Sequence, residues 1–192
     1  MKNILLLGAT GSIGKSVLSV INENKSKLNL FGISLNNNIG ATKKIIDDFN
    51  PSFIYIEDKD AFNNKTEFKE TIYLHGDDEL KDLINHQDVD IIISAISGFA
   101  GLKATHLAAS SGKTILLANK ESIVAGGDLI LPLAREHNSE IIPIDSEHNA
   151  IFQCLSGEKG IDDVQRVTIT ASGGPFIDKK LLDLKNVKKS DA

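Results

Sequence analysis

Short apolar runs recur along the chain and alternate with stretches in which apolar residues follow helical spacing. The runs are rich in isoleucine, leucine and valine, which is typical of strands buried on both faces of a parallel sheet. They predict strands at residues 4–7, 28–34, 53–56, 72–74, 89–95, 114–118 and 140–144.

Amphipathic stretches separate these strands. Helices are predicted around residues 17–21, 39–49, 77–84, 101–109 and 121–137. Strands that alternate with helices in this way indicate βαβ units. We therefore expect an α/β fold, with a doubly wound parallel sheet of the Rossmann type.

The pattern changes after Ser156. Residues 164–170 alternate apolar and polar side chains and predict a strand with one solvated face. A turn is expected at residues 171–176 and a short helix from 181. Such a segment is too small to bury a core alone. We expect a nucleotide-binding domain at 1–150 and the incomplete start of an α+β catalytic domain at 151–192, so that the chain is a fragment.

Composition is that of an ordinary globular protein, with 41% hydrophobic and 24% charged residues. The net charge of −5 and the presence of only two arginines argue against a nucleic-acid partner. No apolar run approaches membrane-spanning length. With one cysteine, Cys154, and no recognisable signal peptide, a cytoplasmic location is expected.

Three glycines follow the first strand, in the segment Gly8-Ala9-Thr10-Gly11-Ser12-Ile13-Gly14. Glycines at a strand-to-helix turn permit a tight turn and close approach of a pyrophosphate, so a dinucleotide site is indicated. The sequence Gly14-Lys15-Ser16 leaves a P-loop as an alternative, with Asp145 as its magnesium ligand.

An acidic residue after the second strand usually binds the ribose 2′-hydroxyl of NAD. That position here reads Asn36, Asn37 and Asn38. Amides can hydrogen-bond a 2′-phosphate that a carboxylate would repel, so the sequence favours NADP.

Polar clusters follow two later strands. One is Asn119-Lys120-Glu121-Ser122, and the other is Asp145-Ser146-Glu147-His148-Asn149. In extended backbone, Asp145 and Glu147 would lie on one face and suit a hard divalent cation. The alternative is that Asp145 or Ser146 caps a helix. His148 is expected to support the site rather than to ligate the metal.

The glycine segment and the two polar clusters are followed along the chain by a fourth segment, Ser172-Gly173-Gly174-Pro175-Phe176. Together they resemble the 1-deoxy-D-xylulose 5-phosphate reductoisomerase family over essentially the whole chain. The resemblance implies a homodimeric enzyme of the non-mevalonate isoprenoid pathway, which uses NADPH and Mg²⁺, Mn²⁺ or Co²⁺. Such an enzyme converts a phosphorylated sugar, 1-deoxy-D-xylulose 5-phosphate, to 2-C-methyl-D-erythritol 4-phosphate.

The resemblance also implies roles for individual residues. NADPH would contact Thr10, Gly11, Ser12, Ile13, Asn36, Asn37, Asn38, Asn119 and Glu121. The metal would be held by Asp145 and Glu147, and the substrate by Lys120, Ser146, Glu147 and Ser172. Lys120 and Glu147 would be the catalytic residues.

Other classes of function remain open at this point. A nucleotide-binding module without catalysis or a P-loop NTPase would account for the glycine turn. A semialdehyde-type dehydrogenase would require a nucleophilic cysteine. Cys154, in the apolar run 151–155, is expected to be a core residue instead.

Overall fold

A single parallel sheet organises the chain, in the order β4-β3-β2-β1-β5-β6-β7. The computed structural model describes residues 1–68, 70–156, 164–168 and 174–191. The strands are β1 Lys2–Leu7, β2 Leu28–Leu35, β3 Phe53–Ile56, β4 Ile72–Leu74, β5 Ile91–Ser94, β6 Thr114–Leu117 and β7 Glu140–Pro143. The seven strands predicted before Ser156 and the doubly wound α/β class are confirmed.

Helices cover both faces of this sheet. They are α1 Ser12–Glu23, α2 Thr42–Phe49, α3 Lys59–Asn63, α4 Asp77–Asn85, α5 Leu102–Ala109, α6 Lys120–Glu136 and α7 Ser146–Leu155. Among the described residues, no helix is both long and apolar enough to cross a membrane.

The core forms because successive strand residues point to opposite faces. Ile4 and Leu6 of β1 pack on the face that carries Ile21 of α1. Leu5 and Leu7 pack on the other face, with Leu83 of α4. Strands buried on both sides need apolar residues at every position, which explains the unbroken runs in the sequence.

The helix α6 contains a kink at Gly126, whose backbone is non-helical. A Cβ atom added at Gly126 would lie 2.8 Å from Cδ1 of Leu102. The glycine therefore lets α6 approach α5 closely, and the kink accommodates that approach.

Residues 1–152 and 153–192 form separate compact units. In the second unit, short 3₁₀ turns occupy Gly174–Phe176, Asp183–Asn186 and Lys189–Asp191. The predicted strand at 164–170 is wrong over residues 164–168, which have no strand structure. Alternation alone does not make a strand, because an isolated strand lacks a neighbour to satisfy its backbone.

Candidate functional site

The turn between β1 and α1 is built around Gly8 and Gly14. Gly8 has φ +89, and a Cβ there would lie 2.7 Å from the carbonyl oxygen of Ala95. A Cβ on Gly14 would lie 2.4 Å from the carbonyl oxygen of Gly8. At these positions, only glycine allows the turn to fold back against β5 and α1.

Ser34, at the end of β2, holds this turn. Its Oγ accepts a hydrogen bond of 3.0 Å from the Gly8 N–H, and its carbonyl oxygen accepts one of 2.9 Å from the Ala9 N–H. Gly11 then precedes α1 without any side-chain cap. The N–H groups of the first turn of α1 are therefore not capped by a side chain.

A cavity of about 460 Å³ opens beside this turn and extends over the ends of β2 and β3. We call it the turn cavity. Its lining includes Thr10, Gly11 and Asn36 from the predicted site. A Cβ on Gly11 would lie 3.5 Å from the carbonyl oxygen of Gly8, an ordinary contact, so the surrounding protein leaves room there for a side chain or a ligand.

A second cavity, of about 330 Å³, lies over the ends of β5, β6 and β7. We call it the carboxylate cavity. The two polar clusters meet in it, and it collects most of the predicted catalytic, metal and substrate residues. Those residues are Lys120, Asp145, Ser146 and Glu147, and three predicted NADPH contacts also line the cavity, namely Ile13, Asn119 and Glu121.

The residues of the carboxylate cavity interact with each other. Nζ of Lys120 lies 3.8 Å from Oε2 of Glu147, so the first turn of α6 contacts the first turn of α7 through opposite charges. Both side chains are about half exposed, at 51% and 58%. The pair is therefore weak and can separate when a ligand enters.

Asp145 immediately precedes α7 and lies at its N-terminal cap. Its Oδ2 accepts a hydrogen bond of 3.4 Å from the His148 N–H and lies 2.8 Å from Nδ1 of His148. The expectation of extended backbone from Asp145 to Glu147 is wrong, because α7 begins at Ser146. Asp145 both caps the helix and lines the carboxylate cavity, and His148 contacts it from the first turn of α7.

Asn119 is buried, with 2% of its surface exposed. Its Nδ2 donates to the carbonyl oxygens of Ile96 and Gly98. Its Oδ1 accepts from the N–H and the hydroxyl of Ser122. These contacts use the full hydrogen-bonding capacity of the amide, so Asn119 caps α6 and ties it to the loop after β5.

The remaining predicted residues lie elsewhere. Ser12, Asn37 and Asn38 are exposed and line neither cavity. Ser172 lies outside the described residues, so its predicted substrate contact is untested. Cys154 is exposed rather than a core residue, and that prediction is wrong. It lies on α7, a helix with no buried residue among those described.

Sequence reasoning missed several residues that line the cavities. Ser97 lines both cavities, and Tyr55 and Glu57 line the turn cavity. Each lies near the carboxyl end of β3 or β5, and ligands bind at the carboxyl ends of parallel strands. The end of every predicted strand was therefore the signal that could have found them.

Comparison with known proteins identifies the relatives of this chain. Residues 4–127 match the family model for 1-deoxy-D-xylulose 5-phosphate reductoisomerase, and residues 141–192 match the model for its C-terminal domain. Relatives of that name from Ruthia magnifica and Clostridium tetani are 40% and 42% identical over the whole chain. The chain spans about half the length of these relatives, 50% and 51%.

Solved structures give the same result. A reductoisomerase of this name from Zymomonas mobilis, in complex with NADPH, is 37% identical, with a TM-score of 0.85. A DOX-P reductoisomerase in complex with NADPH, fosmidomycin and magnesium is 34% identical, with a TM-score of 0.82. Each comparison covers 100% of this chain and about half of the other, 51% and 50%.

Proposed function

The chain belongs to the 1-deoxy-D-xylulose 5-phosphate reductoisomerase family, and we propose that it carries the NADPH-binding part and a portion of the catalytic site of such an enzyme. The reaction converts 1-deoxy-D-xylulose 5-phosphate to 2-C-methyl-D-erythritol 4-phosphate. The observation that carries this proposal is the meeting of Lys120, Asp145 and Glu147 in one cavity beside the glycine turn. A homodimer of the full-length enzyme is proposed on the family resemblance, and a cytoplasmic location is proposed on the sequence.

The glycine turn supports NADPH binding. Gly11, where the missing Cβ leaves room, and the first N–H groups of α1 would hold the pyrophosphate, since N–H groups at a helix N-terminus can donate hydrogen bonds to phosphate oxygens. No acidic residue lies in the first turn of α1, so nothing there repels the phosphates. When bound, NADPH supplies the hydride that reduces an aldehyde.

Ile13 and Ser97 line the carboxylate cavity next to this turn. Residues of this cavity would hold the nicotinamide ring, because the other end of a dinucleotide bound at the turn would extend over β2. Ile13 offers an apolar surface to the ring, and its exposure of 38% leaves that surface accessible. Asn119 keeps the loop after β5 in position.

The carboxylate cavity fits part of a divalent metal site. Asp145 and Glu147 offer oxygen ligands, the type that Mg²⁺ and Mn²⁺ prefer. Among the residues described, no group of three or more His, Cys, Asp or Glu side chains is placed to hold a metal. Bound there, the cation supplies a Lewis acid for the sugar oxygens.

Lys120 contributes positive charge to the same cavity. Its ammonium group lies near Glu147, and it stabilises negative charge on a substrate oxygen when that pair opens. Ser146 lines the cavity as well and offers a hydroxyl to the sugar. Ser172 is proposed to bind the substrate, on the family resemblance alone.

The P-loop alternative gains no support. Its magnesium ligand, Asp145, follows β7, and two strands, β5 and β6, separate β7 from β1. Asp145 also caps α7. No observation favours a binding module without catalysis over the reductoisomerase.

Nucleotide titration tests the proposal. NADPH added to the 192-residue chain should bind more tightly than NADH or ATP, measured by the enhancement of NADPH fluorescence and by competition. Preference for ATP would overturn the proposal. Mn²⁺ binding, followed by electron paramagnetic resonance, tests the metal part independently of the nucleotide.

A further inference from the structure

The turn cavity contains a carboxylate that the proposed function does not use. Glu57 follows β3, and its Oε2 accepts a hydrogen bond of 2.7 Å from the Tyr55 hydroxyl. Both residues line the cavity together with Gly11 and Asn36. We infer that Glu57, positioned by Tyr55, binds the exocyclic amino group of the adenine ring of the nucleotide. This inference rests on the proposed NADPH binding.

The direction of the dinucleotide follows from the layout of the sheet. The carboxylate cavity lies over β5, β6 and β7, on one side of β1. The turn cavity extends over β2 and β3, on the other side. With the pyrophosphate at the β1–α1 turn and the reacting ring over the carboxylates, the adenosine must lie over β2 and β3.

The distance from the turn also fits. Neighbouring strands lie about 4.8 Å apart, so β3 is about 10 Å from β1. That is comparable to the length of a nucleoside. The ribose then lies over the end of β2 beside Asn36, and the base reaches the end of β3 beside Glu57. The two strand ends are joined by backbone hydrogen bonds, including one of 3.0 Å from the Glu57 N–H to the Leu35 carbonyl oxygen.

The wall of the cavity around Glu57 suits a flat, largely apolar ring. Leu80, Ala100 and Ala104 line it with apolar side chains. Lys103 also lines it, but its ammonium group pairs with Asp77. Glu57 is therefore the carboxylate that an adenine ring in this cavity would meet.

Tyr55 orients Glu57 for this contact. Its side chain is anchored in the core, with 2% of the residue exposed. Burial and the Glu57 carboxylate raise the pKa of Tyr55, so its hydroxyl keeps its proton and donates. The contact with Tyr55 uses Oε2 of Glu57, and Oε1 accepts from the adenine amino group, which is a donor.

Asp58, the next residue, cannot take the place of Glu57 in the contact with the adenine amino group. Its Oδ1 accepts a hydrogen bond of 2.7 Å from the Ala61 N–H and caps α3. The neighbouring carboxylate is thus committed to a helix, and it does not line the turn cavity.

A nucleotide that lacks the amino group tests the inference. Nicotinamide hypoxanthine dinucleotide phosphate, in its reduced form, carries a carbonyl oxygen in place of that group. The wild-type chain should bind it about tenfold or more weakly than NADPH, because two acceptor oxygens then face each other. In Glu57→Gln, the amide can donate to the carbonyl oxygen, so the ratio should fall to about threefold or less.

Two further variants complete the experiment. Tyr55→Phe should reduce the discrimination without abolishing it, since Tyr55 acts through Glu57. Glu136→Gln, an exposed change on α6, should leave the wild-type ratio unchanged. Equal binding of the two nucleotides by the wild type would overturn the inference. So would a Glu57→Gln variant that keeps the wild-type ratio but binds NADPH more tightly, since Glu57 would then act only by its charge. Failure of the wild type to bind NADPH at all would overturn the proposed function itself.

Discussion

The ammonium nitrogen of Lys120 lies 3.8 Å from Oε2 of Glu147. Lys120 begins α6 and Glu147 lies in the first turn of α7, so the contact joins two polar clusters that are 27 residues apart in the sequence. The proposed metal ligand is thus paired with a cation of the protein itself.

Removing that cation should strengthen metal binding. In Lys120→Gln, Glu147 no longer shares its charge with an ammonium group, so Mn²⁺ should bind up to about fivefold more tightly. The free energy of unfolding should change by less than about 1 kcal/mol, because both partners are half exposed. Mn²⁺ titration and urea denaturation measure the two effects. Weaker Mn²⁺ binding would mean that Lys120 holds Glu147 in its binding position.

Two substitutions separate the structural and metal-binding roles of Asp145. Asparagine is as good a helix cap as aspartate, whereas alanine costs about 1 kcal/mol. Asp145→Asn should therefore keep the wild-type stability, and Asp145→Ala should lose about 1 kcal/mol in urea denaturation. Both should lower Mn²⁺ affinity by about tenfold or more, since a charged oxygen ligand is lost.

NADPH binding is the control for this pair. It should be unchanged in Asp145→Asn, because asparagine keeps the cap of α7 and Asp145 is not among the residues proposed to contact NADPH. Equal loss of Mn²⁺ and NADPH binding in Asp145→Asn would assign Asp145 a structural role only.

The glycine turn offers a matched pair of alanine substitutions. Gly14→Ala forces a Cβ to 2.4 Å from the Gly8 carbonyl oxygen, and it should destabilise the fold by about 1–3 kcal/mol or more. Gly11→Ala meets only an ordinary contact of 3.5 Å, so it should cost less than about 1 kcal/mol, the usual loss at a helix cap. Gly11→Ala should nevertheless weaken NADPH binding, measured by fluorescence titration. Unchanged NADPH affinity would exclude the pyrophosphate from this position.

Asn119 should contribute strongly to stability. Asn119→Ala removes the cap of α6 and leaves the carbonyl oxygens of Ile96 and Gly98 without their donor. We expect a loss of about 3 kcal/mol in the free energy of unfolding. Asn37→Ala, an exposed amide, should change stability by less than about 0.5 kcal/mol. Similar small losses in both variants would contradict the assigned role.

Asp90 is expected to make a pH-dependent contribution to the stability of the folded state. A hydrogen bond from the Asn3 N–H and the Lys2 ammonium group lower the pKa of Asp90. A carboxyl group with a lowered pKa stabilises the folded state above its unfolded pKa, near 3.9, and loses that effect as the pH falls through its folded pKa.

Urea denaturation of wild type and Asp90→Asn from pH 7 to pH 3 measures this effect. The wild type should be the more stable at pH 5–7, and the difference should shrink below about pH 4. Asp128→Asn, on α6, controls for the loss of one negative charge. If the difference in the free energy of unfolding between wild type and Asp90→Asn grows as the pH falls, the prediction is contradicted.

Much of the fold could be predicted from local patterns. The run from Ile4 to Leu7 is apolar at every position, and only a strand covered on both faces needs that. The spacing of Gly8, Gly11 and Gly14 also indicated the turn. The turn needs glycine because a Cβ at Gly8 or Gly14 would meet backbone atoms. The alternation of apolar and polar residues at 164–168 led to a wrong strand prediction, because such a pattern carries no information on a partner strand.

The sequence by itself determined the α/β class, the glycine turn and the two clusters that contain Lys120 and Asp145. These depend on the chemistry of neighbours along the chain, which a sequence contains. Only the tertiary structure decided that Asp145 caps α7, that Lys120 pairs with Glu147, and that Glu57 shares a cavity with Gly11. Those relations depend on strand order and helix start, and both are set by packing between residues far apart in the chain.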